Sequence, residues 1–293
     1  MIERLVIFGV GLIGGSLALA LREAGAVREI VGCSRNADNL REAQRLGVID
    51  RWTTDVAEAA EGADLGVIAV PLGAMEPLAR DLAAAWPKDS PLTDVGSSKQ
   101  AVIDAVGAGF GKVPRAFVPG HPIAGTEKSG VGAAFATLFR ERLVILTPVD
   151  ATNALATDRV AEMWQAAGAR VEYMTPAHHD RVLAATSHLP HVLAFTLVSS
   201  LANMSERDEI FHYAAGGFRD FTRIASSDPV VWRDICLANR TAILEVIGQY
   251  QADLEGLRSA IEHGDAATIE QNFEHAKETR DRLCDPADAQ LDT

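Results

Sequence analysis

Cysteine is scarce, with Cys33, Cys236 and Cys284 the only three in 293 residues. They are widely spaced and form no C-x-x-C pair, which argues against a disulfide framework or a zinc knuckle and fits a reducing cytoplasm. Basic charge is in deficit as well. Twenty-seven Lys and Arg against forty Asp and Glu leave a net charge of −13 and an isoelectric point near 5.0. That field repels phosphate backbones and anionic lipid, so neither nucleic acid nor a membrane is an expected partner. An anionic ligand must then be met by local cations or by backbone amides. No long hydrophobic run reads as a membrane span either: the apolar stretch 5–21 is broken by Gly9, Gly11, Gly14 and Gly15 and reads as strand, turn and helix. Internal repeats are missing, and no lysine occurs between Pro176 and Tyr250.

What remains is the composition of a folded protein, 48% hydrophobic and 23% charged, long enough for two domains. From residue 1 to 175, short apolar runs alternate with helix-length segments, the pattern of a mostly parallel βαβ sheet. Strands are expected at 5–8, 29–33, 65–70, 92–95, 116–118, 143–147 and 171–174, with helices at 12–24, 40–46, 75–86 and 154–167. After Pro176 the pattern turns helical, so the expected domains are 1–175 and 176–293. Ile243, Ile247, Tyr250, Leu254, Leu257 and Ile261 recur at helical spacing. Gly264 and Asp265 read as a helix stop and a new N-cap, followed by a second stripe through Ile269, Phe273, Ala276 and Leu283. Either an intrachain core or a subunit seam can absorb such stripes.

Gly9-Val10-Gly11-Leu12-Ile13-Gly14 matches G-x-G-x-x-G between an expected strand and an expected helix. In that setting Gly9 allows the turn, Gly11 lets a pyrophosphate approach the backbone, and Gly14 lets the helix pack on the sheet, while the helix N-terminus offers amides to the phosphates. The fold class is therefore α/β, a Rossmann-type dinucleotide-binding domain followed by an all-α domain. At the end of the second strand, where an acid usually binds the adenosine ribose, the chain reads Gly32-Cys33-Ser34-Arg35-Asn36. Ser34 and Arg35 suit a 2′-phosphate, so NADP is the expected cofactor, with NAD possible.

In GHPIAGTE, His121 has the intrinsic pKa of a base able to take a hydroxyl proton beside a nicotinamide. Ser97, in DVGSSK, brings a hydroxyl to the same sheet edge. SHLPH carries two histidines on one turn, but no third ligand sits at metal spacing, so no metal is expected. GGFRDFTR supplies two guanidinium groups suited to clamping a carboxylate.

These segments, with VEYMTP and SDPVVWRD, occur in the order of the prephenate dehydrogenase family, and the chain resembles its prephenate, arogenate and cyclohexadienyl dehydrogenases over nearly its whole length. The resemblance implies oxidative decarboxylation of a small-molecule substrate in tyrosine biosynthesis. By motif, His121 would be the base toward the ring hydroxyl, and Ser97 would orient that hydroxyl and the nicotinamide. Arg223 would bind a substrate carboxylate, Glu127 and Asp220 would form an ionic gate with it, and His191, Gly216 and Trp232 would shape the pocket. The family's helical domain forms a homodimer, which favours the subunit seam. Some relatives add a chorismate mutase or a regulatory ACT domain, for which 293 residues are expected to leave no room. A β-hydroxyacid dehydrogenase of the 6-phosphogluconate type would need a helical-domain lysine, and between Pro176 and Tyr250 this sequence has none, which counts heavily against it. A nonenzymatic NADP-sensing protein would be expected to have degraded these motifs.

Overall fold

The computed structural model describes residues 1–126 and 128–284, the last two by backbone only. Glu127 and the side chains of Leu283 and Cys284 therefore lie outside the described residues. The chain forms one compact unit over Met1–Ile243 and a second that begins at Leu244.

The first unit opens with β1 (Ile2–Phe8), α1 (Leu12–Glu23), β2 (Val27–Cys33), α2 (Ala37–Arg45), β3 (Arg51–Thr53), α3 (Val56–Ala60), β4 (Leu65–Ile68), α4 (Met75–Ala85), β5 (Leu92–Asp94), α5 (Lys99–Phe110) and β6 (Phe117–Val118). The six strands make one parallel sheet in the order β3-β2-β1-β4-β5-β6. Residues of β1 explain why it sits inside: Leu5 and Ile7 join the apolar cluster on one face, Val6 and Phe8 the cluster on the other. Burial on both faces is what a parallel strand requires. Strand order reverses between β1 and its neighbours β2 and β4, opening a crevice at their carboxyl ends, where such sheets bind ligands.

The single parallel sheet expected out to residue 174 is in fact two. Pro119, which has no N–H to donate, follows β6, and the chain turns into β7 (Gly120–Pro122). This strand pairs antiparallel with β8 (Leu143–Leu146), which pairs parallel with β9 (Arg170–Tyr173) across α6 (Ala154–Ala166). His121 consequently lies in a strand, opposite Ile145, and not in a loop. Besides β7, three elements escape a reading by periodicity. β3 and α3 are too short to show one, and Gly107 and Gly109 disguise α5.

Helices follow as expected: α7 (Pro176–Leu183), α8 (Leu189–Ala202), α9 (Arg207–His212), α10 (Gly216–Thr222), α11 (Pro229–Ala238), α12 (Arg240–Glu262) and α13 (Ala266–Cys284). Compactness does not change at 175, because Asp180 of α7 accepts bonds from Lys99 and Gln100 at the start of α5. Ala184–His188 between α7 and α8 is a turn of π-helix. Pro190 accounts for it, since its ring collides with a carbonyl one turn back and it cannot donate there. In the second unit, Gly264 has φ +65° and the Asp265 carboxylate accepts from Thr268 N at 3.1 Å, the expected stop and cap.

Candidate active site

Two of the cavities in the first unit bring together the residues singled out above. The one at the sheet crevice, about 660 Å³, is lined by Gly9, Val10 and Gly11 after β1, Ser34 and Arg35 after β2, and Ala69 and Val70 after β4. The glycines there answer to different constraints. A Cβ on Gly9 would stand 2.4 Å from the Ala69 carbonyl oxygen, and one on Gly14 would stand 2.4 Å from the Gly9 carbonyl oxygen. Gly9 also has φ +97°. Gly11, by contrast, faces no heavy atom of the protein within 4 Å. Packing thus dictates Gly9 and Gly14, whereas Gly11 leaves open space beside the helix N-terminus. That N-terminus carries no side-chain cap and no acid in its first turn. Such a cradle fits a dinucleotide pyrophosphate. Leu12 and Ile13 do not line the cavity: Leu12 is in the core and Ile13 packs against it. Asn36 spends its Oδ1 capping α2, accepting from Asp38 N and Asn39 N. Ser34 and Arg35 remain on the cavity wall, and its acids, Asp81 and Asp234, come from other segments.

The second cavity, about 690 Å³, gathers His121 from β7, His191 from α8, Trp232 from α11 and Arg223 from the short turn after α10, with Lys128, Arg140 and Arg142 also on its wall. Its net cationic wall suits a substrate bearing carboxylates. Ser97, in the turn before α5, is half-buried but not on this wall, and neither are Gly216 and Asp220, which are exposed.

His121 is held by its neighbours on both sides of the backbone. Asp94 and Lys99 form a fully buried ion pair at 2.6 Å. The Asp94 carboxylate accepts from Gly120 N at 3.0 Å, while the Lys99 ammonium donates to Gly120 O at 2.6 Å. Burial pushes Lys99 below the ordinary lysine value, and Asp94 opposes that. Because Gly120 is clamped on both sides, the backbone ahead of His121 has little freedom. The imidazole Nδ1 of His121 then lies 2.9 Å from Nε2 of His179, whose Nδ1 lies 2.8 Å from Asp180 Oδ1. Burial first, then the neighbouring His179, Lys99 and His188, hold His121 well below the usual histidine range. It is neutral at physiological pH and able to accept a proton.

His191 donates from Nδ1 to the Ser187 carbonyl at 2.9 Å and stacks on Trp232, with ring centroids 3.5 Å apart and planes 17° apart. Burial lowers its pKa, the Ser187 bond opposes this, and Arg223 adds to the lowering. Asn239 at the end of α11 donates to the Asp180 carbonyl and lies 3.1 Å from His188 Nδ1. Among the described residues no group of three His, Cys, Asp or Glu is placed to hold a metal.

Sequence reasoning overlooked His179, Asp180 and Asn239, and read DVGSSK only for its hydroxyl when its lysine is the clamp. The one available signal was His178-His179-Asp180 just after Pro176. Nothing local says that these residues meet β7 and α5.

Residues 17–173 match a family model described as "Prephenate dehydrogenase, nucleotide-binding domain", and residues 175–275 match "Prephenate dehydrogenase, dimerization domain". A cyclohexadienyl dehydrogenase of Zymomonas mobilis is 39% identical over 95% of each chain. The crystal structure of prephenate dehydrogenase from A. aeolicus, in complex with hydroxyphenyl propionate and NAD+, superposes with a TM-score of 0.91 at 36% identity, covering 97% of this chain and 99% of that one. Synechocystis arogenate dehydrogenase superposes with a TM-score of 0.81 at 25% identity, covering 96% and 99%.

Proposed function

The chain belongs to the prephenate dehydrogenase family, and from that membership and the cavity at His121 we propose that it catalyses the NAD(P)-dependent oxidative decarboxylation of prephenate, arogenate or both, giving 4-hydroxyphenylpyruvate or tyrosine. The observation that carries the reading is the convergence of a neutral His121, the His191–Trp232 stack and Arg223 on one cavity.

When bound, a nicotinamide dinucleotide supplies the hydride acceptor, and Gly9, Gly11, Leu12, Ile13 and Gly14 would hold its pyrophosphate, with Ser34 and Arg35 at the adenosine end. Nε2 of His121 takes the proton of the ring hydroxyl. Arg223 binds a substrate carboxylate through charge-assisted hydrogen bonds. His191 and Trp232 wall the ring. The ring carboxylate leaves as carbon dioxide, and aromatisation makes the step effectively irreversible. On the family resemblance, Ser97 orients the hydroxyl, Glu127 and Asp220 gate the pocket with Arg223, and Gly216 shapes it. Ser34 and Arg35 support a preference for NADP. The functional division at 175/176 assigns the dinucleotide to the first part and subunit contact to the second.

A homodimer is the natural partner for the apolar faces left bare on the helices. Leu254, Ile261 and Phe273 are 51%, 60% and 56% exposed. The helical run Pro176–Ala202 is long and apolar enough to cross a membrane by length and composition. Its first turns are engaged, however, through Asp180 on α5, so we read its bare face as part of a subunit seam. Unpaired thiols at Cys33 and Cys236 support a cytoplasmic setting. Steady-state turnover of both substrates with both cofactors tests the reading. Activity with at least one pair is expected, and inactivity with all four would leave a nonenzymatic dinucleotide sensor.

A further inference from the structure

His179 and Asp180 are both buried, and neither touches the cavity wall, yet they continue directly from His121. Donor and acceptor logic orders this chain. The Asp180 carboxylate accepts from Lys99 N at Oδ1, 2.7 Å, and from Gln100 N at Oδ2, 3.0 Å, so both oxygens are held as acceptors. Nδ1 of His179, 2.8 Å away, must therefore carry the proton of their shared bond. A neutral His179 then presents a bare Nε2, and His121, at 2.9 Å, must donate to it from Nδ1–H. The lone pair of His121 is left on Nε2.

We propose that His179 and Asp180 are positioning residues for the reaction, holding His121 as its Nδ1–H tautomer and taking up the proton that it removes. The inference rests on the dehydrogenase reading above. The proton balance is simple: the substrate O–H proton bonds to Nε2 of His121, the Nδ1 proton passes to Nε2 of His179, and the positive charge comes to rest on His179 beside the Asp180 carboxylate. Nothing is oxidised or reduced in this transfer. The other groups facing the pair are already engaged. Lys99 from α5 is bonded to Asp94 at the end of β5, and His188 in the π turn has Nδ1 against the Asn239 amide. Burial keeps His179 neutral before the proton arrives, with Asp180 opposing.

The test uses the full chain and measures kcat and KM, the pH profile of kcat/KM, and imidazole ¹⁵N shifts without substrate. His179→Gln still offers an oxygen to His121 Nδ1–H but carries no proton onward. It should lower kcat roughly 10–10²-fold with KM within about twofold, and move the acid limb to lower pH, because the protonated pair has lost a stabilising site. Asp180→Asn can keep an oxygen toward Lys99 N and His179 but removes the negative charge beside the protonated His179, and should lower kcat roughly 10–10²-fold. In the spectra, His121 Nε2 should be the bare nitrogen in wild type. His178→Gln, at the exposed neighbour, should change nothing. A wild-type spectrum with Nε2–H on His121, or a His179→Gln enzyme with unchanged kcat and acid limb, would overturn the proposal. If Asp180→Asn fails to fold because its carboxylate also caps α5, His179→Gln decides alone. Wild type inactive with prephenate and arogenate would overturn the dehydrogenase reading instead, a result distinct from the tautomer, which needs no substrate to be seen.

Discussion

The glycine loop beside the crevice cavity is constrained by backbone contacts, whereas the cavity at His121 gathers side chains from β7, α8 and α11. In the first, what matters is where a side chain cannot be. Cβ atoms on Gly9 and Gly14 would meet carbonyl oxygens, and the rest is a helix N-terminus at a sheet crevice. In the second, what matters is which polar atom meets which. His121 stands at the head of a chain of polar contacts that reaches Asp180, and Lys99 clamps the strand beneath it. A backbone site tolerates change outside its few glycines; a side-chain site depends on each member.

That difference is broken most directly by substitutions in each. His121→Asn removes the proposed base while keeping a polar side chain of similar reach. We expect kcat to fall roughly 10²–10⁴-fold with cofactor affinity unchanged. Near-normal turnover in stopped-flow assays would remove His121 from the mechanism. The glycines should separate by cause. Gly14→Ala drives a methyl to 2.4 Å from the Gly9 carbonyl and should cost about 2–4 kcal/mol in urea unfolding. Gly11→Ala meets no protein atom and its φ of −104° suits alanine, so stability should hold while dinucleotide affinity drops. Equal affinity in Gly11→Ala by calorimetry would mean that the pyrophosphate does not approach there.

The same contrast governs what can be read from the sequence. The glycine loop is legible because its constraints are local: strand, turn and helix lie within two dozen residues, and each glycine has a geometric duty. β1, α1, β2 and the helical second half follow from periodicity for the same reason. The split of the sheet at Pro119 is not legible, because three-residue β7 carries no period and its pairing with β8 crosses a loop. Ser98 is the plainest case. Its sequence position is that of an N-cap, yet its hydroxyl is unbonded, and Asp180, 81 residues beyond Lys99, takes that duty for α5. The guanidinium pair of GGFRDFTR is legible as a carboxylate clamp, but the choice of Arg223 and the pocket role of His191 come from the resemblance, since only the fold brings them together.

Acid should distinguish the two regions by stability as well. Burial lowers the His188 pKa from 6.5 to about 4, with Asp180 opposing. Because the folded-state value lies below the unfolded one, the unfolded chain binds the extra proton between them. Stability is therefore intact above about pH 6.5 and falls as pH drops toward 4, by about 3 kcal/mol for this histidine. His121 and His179 are shifted in the same direction and add to the loss. Hydrogen exchange should show α7 and α8 opening before β1 and α1 as pH falls. A denaturation midpoint that is flat across this range would contradict the account.

The smallest expected effect lies where the backbone site borrows side chains, at the end of β2. Ser34 and Arg35 line the cavity there, and no carboxylate from the β2–α2 turn stands with them to repel a 2′-phosphate. A hydrogen bond to a charged group contributes about 1.5–3 kcal/mol, and exposure of Arg35 reduces that. NADP should therefore be preferred over NAD by roughly tenfold to a hundredfold in kcat/KM, at about 1.4 kcal/mol per factor of ten. Arg35→Ala should remove most of the preference and leave the NAD kinetics nearly unchanged, because NAD has no phosphate at that position to lose. Wild type using NAD as well as NADP would make Arg35 a solvated loop cation, and the cradle would then be built from backbone throughout.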